Sequence, residues 1–322
     1  MKLYAKRNNL LISLSTGISI AIAAPFLGEF LLDLLITICI YAIFTVSLDL
    51  LVGFTGLVSL GHAIGWGVAA YTVAILNHHS FAPDFFMLIV ASMFMVLVLT
   101  GLIGLVVTRL TKIYFVMITF AFGQMLYSVA FSWTKVTGGS DGLSDIARPR
   151  LALLISLDND LNFFYLVLTC LAVTYFILKF VTVSPFGRTL IGIRENEHRL
   201  RALGYNTLAY KWFSFIISGL FAGLGGILFA IYFGFVGPSE LNWGWSGEGL
   251  LMLLIGGQGS LWGALIGTVL YCLMKSFIGA YTEHWPLVIG IIFVLIVRFF
   301  KGGIGHLIMR WINEFGRQNI KD

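Results

Sequence analysis

The sequence predicts an all-α polytopic membrane protein: about ten transmembrane crossings, two glycine-broken elements and a cytoplasmic coupling helix. Three observations lead there. The 322-residue chain is 59% hydrophobic and only 11% charged, with a mean hydropathy of +0.95. A soluble domain carries about 25% charged residues, so this chain lacks the polar surface that water demands. Its apolar runs are about 15–23 residues long, which suits helices crossing roughly 30 Å of hydrocarbon rather than the alternating segments of a barrel. Its 36 glycines suit close helix approach and local breaks.

The first apolar run follows Lys2, Lys6 and Arg7 and reaches Gly28. Ala21-Ile22-Ala23 also fits a signal-peptide cleavage site, but with so many spans behind it an uncleaved first crossing is the expectation. Further spans are expected near 31–52, 62–77, 85–107, 113–134, 162–181, 212–235, 246–258, 261–279 and 285–300. Basic residues collect on cytoplasmic loops. Placing the N-terminus inside puts 16 of the 20 Lys and Arg in the cytoplasm: at 2–7, at Arg109 and Lys112, at 179–211 and after 297. Both termini are then cytoplasmic. Lys275 falls near an outer helix end, where it can snorkel. The basic balance (pI about 9.1) follows this orientation and implies no nucleic acid.

The span at 246–258 is short, and Gly256-Gly257-Gln258-Gly259 interrupts it, which marks a half-helix or re-entrant element. An earlier break, Gly53-Phe54-Thr55-Gly56, leads to Ser59-Leu60-Gly61-His62, much as the later one leads to Ser260-Leu261-Trp262-Gly263. Irregular backbone at membrane depth survives only inside protein or beside a water-filled cavity, and paired glycine breaks are a pointer to a substrate route. Thr55, Ser59, His62, Gln258 and Ser260 are the candidate pathway residues, since they add neutral hydrogen-bonding groups there; tight helix packing explains the glycines equally well. Asp49 is the main intramembrane charge candidate, and at interfacial depth a hydrated or neutral carboxyl is the simpler reading.

The segment 184–211 is polar and mixed in sign. Ser184-Pro185 starts a helix, Leu190, Ile193, Leu200 and Leu203 fall at helical spacing with Glu197 interrupting them, and Gly204 ends it. An anionic lipid surface and a soluble protein are both conceivable partners, and the glutamates among the arginines favour the protein. Arg188, Arg194, Glu195, Glu197 and Gly204 are the candidate residues for that contact.

No G-x-x-x-x-G-K-[ST] or HExxH occurs anywhere in the chain. Cys39, Cys170 and Cys272 lie apart in apolar runs without metal-ligand spacing. No catalytic residue, cofactor or metal is therefore expected.

In order along the chain stand Ser47-Leu48-Asp49-Leu50-Leu51-Val52-Gly53, Ser59-Leu60-Gly61-His62-Ala63, Thr137-Gly138-Gly139-Ser140-Asp141-Gly142-Leu143, Ser184-Pro185-Phe186-Gly187-Arg188, Ile193-Arg194-Glu195-Asn196-Glu197 and Ile255-Gly256-Gly257-Gln258-Gly259-Ser260-Leu261-Trp262-Gly263. As an ordered set these blocks resemble the LivM-type permeases of branched-chain amino acid ABC importers over nearly the whole chain. The resemblance implies one transmembrane permease domain over 1–322 in a bacterial inner membrane. It also implies a second homologous permease, two cytosolic ATPase subunits that hydrolyse ATP, an extracytoplasmic solute-binding protein, and 184–211 as the ATPase contact. Related permeases serve urea, amides and other small solutes, and a stand-alone secondary carrier is the rival class. Two positions depart from the family pattern: Asp49, where Asn is common, and Arg201, where a small or acidic residue is common.

Overall fold

A computed structural model of the chain describes residues 21–78, 84–110, 112–149, 157–299 and 302–305. The described residues form an all-α membrane protein of ten main helices: α1 (Glu29–Asp49), α2 (Ala63–His78), α3 (Phe85–Val107), α4 (Ile113–Ser132), α5 (Asp160–Val183), α6 (Pro185–Ala202), α7 (Thr207–Phe233), α8 (Trp243–Gly256), α9 (Leu261–Tyr281) and α10 (Trp285–Phe299). Six of the ten expected crossings are helices long and apolar enough to span a bilayer: α1 with its extension to Thr55, α3, α4, α5, α7 and α9. The first expected crossing lies largely outside the described residues. The remaining three, α2, α8 and α10, have only 16, 14 and 15 residues. At 1.5 Å per residue, α8 reaches about 21 Å, short of the hydrocarbon thickness.

Burial separates the helices by role. The apolar windows of α1 and α7 are 89% and 78% buried within the protein, against 22–28% for α3, α4 and α5. The first pair forms the centre and the other three present apolar side chains outward. Small residues permit the central contacts. A Cβ on Gly65 of α2 would lie 2.5 Å from the Gly219 carbonyl of α7, and one on Gly226 would strike the Trp66 carbonyl. Only glycine lets these two backbones approach so closely. Trp66 fills the space beside them, packed between Phe44, Phe229 and Trp245.

At the far end from α6, Leu143 and Val236 exchange backbone hydrogen bonds of 2.8 and 2.9 Å. That pairing ties the glycine-rich turn 138–142 to the segment after α7, and Gly142 packs on the Val236 carbonyl.

Candidate functional site: a glycine junction joined to the polar helix

The two glycine breaks meet. After Asp49 the chain widens into a π-helical turn, Leu50–Thr55, closed by Gly56 at φ 76°. Such turns are uncommon and concentrate at functional sites. The second break, Gly257–Ser260, has Gly257 at φ 107° and Gly259 at φ 80°. Gly53 lies directly against Gly259, where a Cβ on Gly53 would overlap the Gly259 amide and the Asp49 carboxylate. The Gly259 N–H donates to Asp49 Oδ1 at 2.7 Å. Asp49 is wholly buried, which corrects the hydrated form of the expected reading. Its solvation comes from a backbone amide, and the guanidinium of Arg194 supplies the nearby opposite charge.

Arg194 comes from α6. Its Nη1 donates to the Gly53 carbonyl, and its aliphatic stem covers Gly56, where a Cβ would lie 2.9 Å from its Cγ. One side chain of the polar helix thus touches both glycines of the first break and approaches the second at Gly259. Leu190 and Ile193 anchor α6 beneath it, packed in a cluster with Leu48, Leu50, Val52 and Leu261.

The other expected pathway groups are dispersed along the breaks. Thr55 donates to Leu50 O at 2.8 Å, the Ser59 hydroxyl accepts from Gly61 N, and the Ser260 hydroxyl caps α9 by accepting from Gly263 N. His62 Nε2 pairs with the Ser47 hydroxyl at 2.9 Å, with the Phe44 ring tilted against it. Gln258 is exposed. Local hydrogen bonds therefore engage four of the five, and only Gln258 and Ser260 adjoin the Asp49–Gly259 contact.

The polar helix differs from its expected form. Asn196 has φ −160° and ψ 92°, so 185–202 is two helical pieces joined at a kink. Leu203, expected on the apolar face, is exposed, and Gly204 adopts φ 87° as the chain turns into α7. Arg188 and Glu195 are exposed. Glu197, which interrupts the apolar spacing, turns inward: its Oε1 accepts from Arg201 at 2.5 Å and Thr207 at 3.0 Å and forms an ion pair with Lys211 at 3.0 Å. Burial alone would raise the Glu197 pKa, but Lys211, Thr207 and Arg201 outweigh it and hold the carboxyl below its usual range. A depressed carboxylate pKa contributes stability above the unfolded-state value of about 4.3 and loses it as pH falls through the folded-state value. Glu197→Gln strands the fully buried Lys211 and is expected to cost on the order of 3 kcal/mol at pH 7. The gap to the parent should narrow as pH falls below the unfolded-state value of about 4.3 and close as pH passes through the lower folded-state value; thermal unfolding of purified protein across that range checks this, and an unchanged gap would contradict it.

Three features escape sequence reading. Residues 302–305 fold back so that Gly303 and Gly305 pack on Gly256, Gly257 and Gly263. A second backbone thus reinforces the later break. Lys211 is a buried cation at the start of the second turn of α7, and Glu248 of α8 pairs with Lys275 of α9 at 3.1 Å. Only the glycine-rich run at 302–305 had a visible signal, a small-residue cluster after the final span.

Comparison with known proteins accords with this architecture. The family model described as "Branched-chain amino acid transport system / permease component" matches residues 30–297. The high-affinity branched-chain amino acid transport system permease protein LivM of Escherichia coli K12 is 30% identical over 301 residues, 86% of this chain and 71% of that protein. A probable branched-chain amino acid transport permease protein LivM of Methanocaldococcus jannaschii is 21% identical over 288 residues, covering 79% of this chain and 83% of its own. The autoinducer 2 import system permease protein LsrC of Photorhabdus laumondii is 30% identical over a shorter stretch of 112 residues, 35% of this chain and 32% of its own. No solved structure matches the chain. With its family model matched across both glycine breaks and α6, the chain belongs to the branched-chain amino acid transport permease family.

Proposed function

We propose that this chain is the transmembrane permease subunit of an ATP-binding-cassette importer for branched-chain or related amino acids. It acts as a single permease domain in a bacterial inner membrane, with both termini and α6 cytoplasmic. It forms the translocation path with a second, homologous permease. Two cytosolic ATPases supply the energy, and an extracytoplasmic solute-binding protein delivers the substrate. The observation that carries this reading is Arg194, which links the exposed polar helix to the point where the two glycine breaks cross. ATPase closure against Arg188, Glu195 and the kinked α6 would pull on Arg194 and so on the Gly53–Gly259 contact. Glu197 and Gly204 shape the far end of that lever. Thr55, Ser59, His62, Gln258 and Ser260 flank the backbone that moves.

The chain has no P-loop, and in this reading the partner ATPases supply the energy. Reconstituted alone in liposomes, it is expected to move no leucine down or against a gradient. Adding the second permease, ATPases, binding protein and ATP should start uptake. Leucine movement by this chain alone would identify a self-sufficient carrier and overturn the reading.

A further inference from the structure

The Glu248–Lys275 pair is misplaced for a lipid-facing protein surface. Glu248 lies in the second turn of α8 and Lys275 well inside α9, each about 8–9 Å from the nearer helix end. Their side chains are 29% and 34% exposed, so the pair is neither sealed in the core nor free at an interface. Charged groups within membrane spans almost always face the protein interior or a water-filled space, and Lys275, expected to snorkel from an outer helix end, instead pairs with Glu248. Open space adjoins the pair. Beside Glu248, a Cβ on Gly247 would meet nothing within 4 Å, and the same holds one turn beyond Lys275 at Gly279. The walls are aromatic: Lys275 Nζ lies 4.9 Å from the Trp285 ring centroid, and the buried Tyr271 hydrogen-bonds Glu248. Trp245, one turn before Glu248, packs on Tyr41, Trp66 and Phe229.

We propose that Glu248 and Lys275 form a recognition site for the charged end of a zwitterionic amino acid on its way through the permease. The carboxylate takes the ammonium group and the ammonium takes the carboxylate. With no substrate the two neutralise each other, which lowers the cost of holding charge at that depth. With substrate, two ion pairs replace one, and the open faces at Gly247 and Gly279 leave room for the Cα and its side chain. The site lies on α8, the half-helix that ends in the second glycine break, so occupancy there adjoins the backbone that Asp49 and Arg194 hold.

This inference rests on the importer reading, and the test separates the two. The complete importer is reconstituted in liposomes, and leucine uptake and binding-protein-stimulated ATP hydrolysis are measured together. Absence of ATP-dependent uptake by the wild-type complex would defeat the importer reading itself. Given wild-type uptake, Glu248→Gln, Lys275→Met and the charge-exchanged double variant are each expected to lower leucine transported per ATP at least about tenfold. The KM set by the binding protein and the recovery of the second permease should stay unchanged. A diazirine-bearing leucine analogue should label residues within 244–251 or 271–279 in the wild type. Wild-type uptake in the charge-exchanged variant would show a pair that only staples α8 to α9. Loss of the second permease on purification would show a subunit contact instead. Either result, or labelling confined elsewhere, overturns the proposal.

Discussion

Arg194→Glu is expected to reduce ATP-dependent uptake roughly 10–100-fold while the protein still inserts and assembles. The magnitude follows from removing the guanidinium that donates to Gly53, because a hydrogen bond from a charged donor is worth about 1.5–3 kcal/mol and each 1.4 kcal/mol is a factor of ten. The substitution also sets a carboxylate against the Gly53 carbonyl and near the buried Asp49 carboxylate. Stimulated ATP hydrolysis should persist, since the rest of the ATPase contact proposed on α6 is untouched. Two companions sharpen the reading. Asp49→Asn keeps an oxygen that accepts from Gly259 N–H and should retain uptake within about threefold, whereas Asp49→Leu removes the acceptor and leaves that amide unpaired, a loss of about 1–3 kcal/mol. Uptake by Arg194→Glu within twofold of the parent would sever α6 from the junction.

The second large effect is steric. Gly256→Ala is expected to destabilise the protein by about 3 kcal/mol or more, with Gly256→Leu failing to accumulate in the membrane. A Cβ at 256 would collide with the Gly263 carbonyl and lie 2.8 Å from the Gly267 amide. Both are backbone atoms of α9, which cannot rotate away as a side chain would, and overpacking against a fixed wall costs about 1–3 kcal/mol, occasionally more. Gly101 of α3 is the control. A Cβ there meets nothing within 4 Å, so Gly101→Ala should be neutral or stabilise by up to about 1 kcal/mol through helix propensity. Thermal unfolding of the purified variants separates the two. Equal behaviour of Gly256→Ala and Gly101→Ala would contradict the interlocked α8–α9 packing.

The span positions were readable because each long apolar run has one favourable fate in lipid. Expected spans at 85–107 and 261–279 correspond to helices Phe85–Val107 and Leu261–Tyr281. Both glycine breaks were readable as well, since runs such as Gly256-Gly257-Gln258-Gly259 oppose helix by conformational entropy alone. Neighbour relations were not readable. In water a 3.6-residue apolar period reveals the buried face of a helix; in a membrane the lipid-facing and protein-facing sides are both apolar, and the period fades. Thus α1, the most buried span, and α4, among the least, look alike as sequence. Asp49 could be noticed but not placed. Glu248 passed unmarked because its partner stands 27 residues away on another helix. Glu197 looked like a flaw in an amphipathic face, although the Asn196 kink turns it toward Lys211.

Composition, run length and the glycine runs by themselves determined a multi-pass helical membrane protein with two interrupted spans and a polar segment at 184–211. These follow from transfer energies and local backbone preferences, which each segment carries independently of its neighbours. The tertiary structure alone decided that the interruptions touch at Gly53 and Gly259, that Asp49 is wholly buried and hydrogen-bonded there, and that Arg194 reaches them from the polar helix. Those contacts depend on where separate helices come to rest against one another, a matter of close packing between residues up to 210 positions apart.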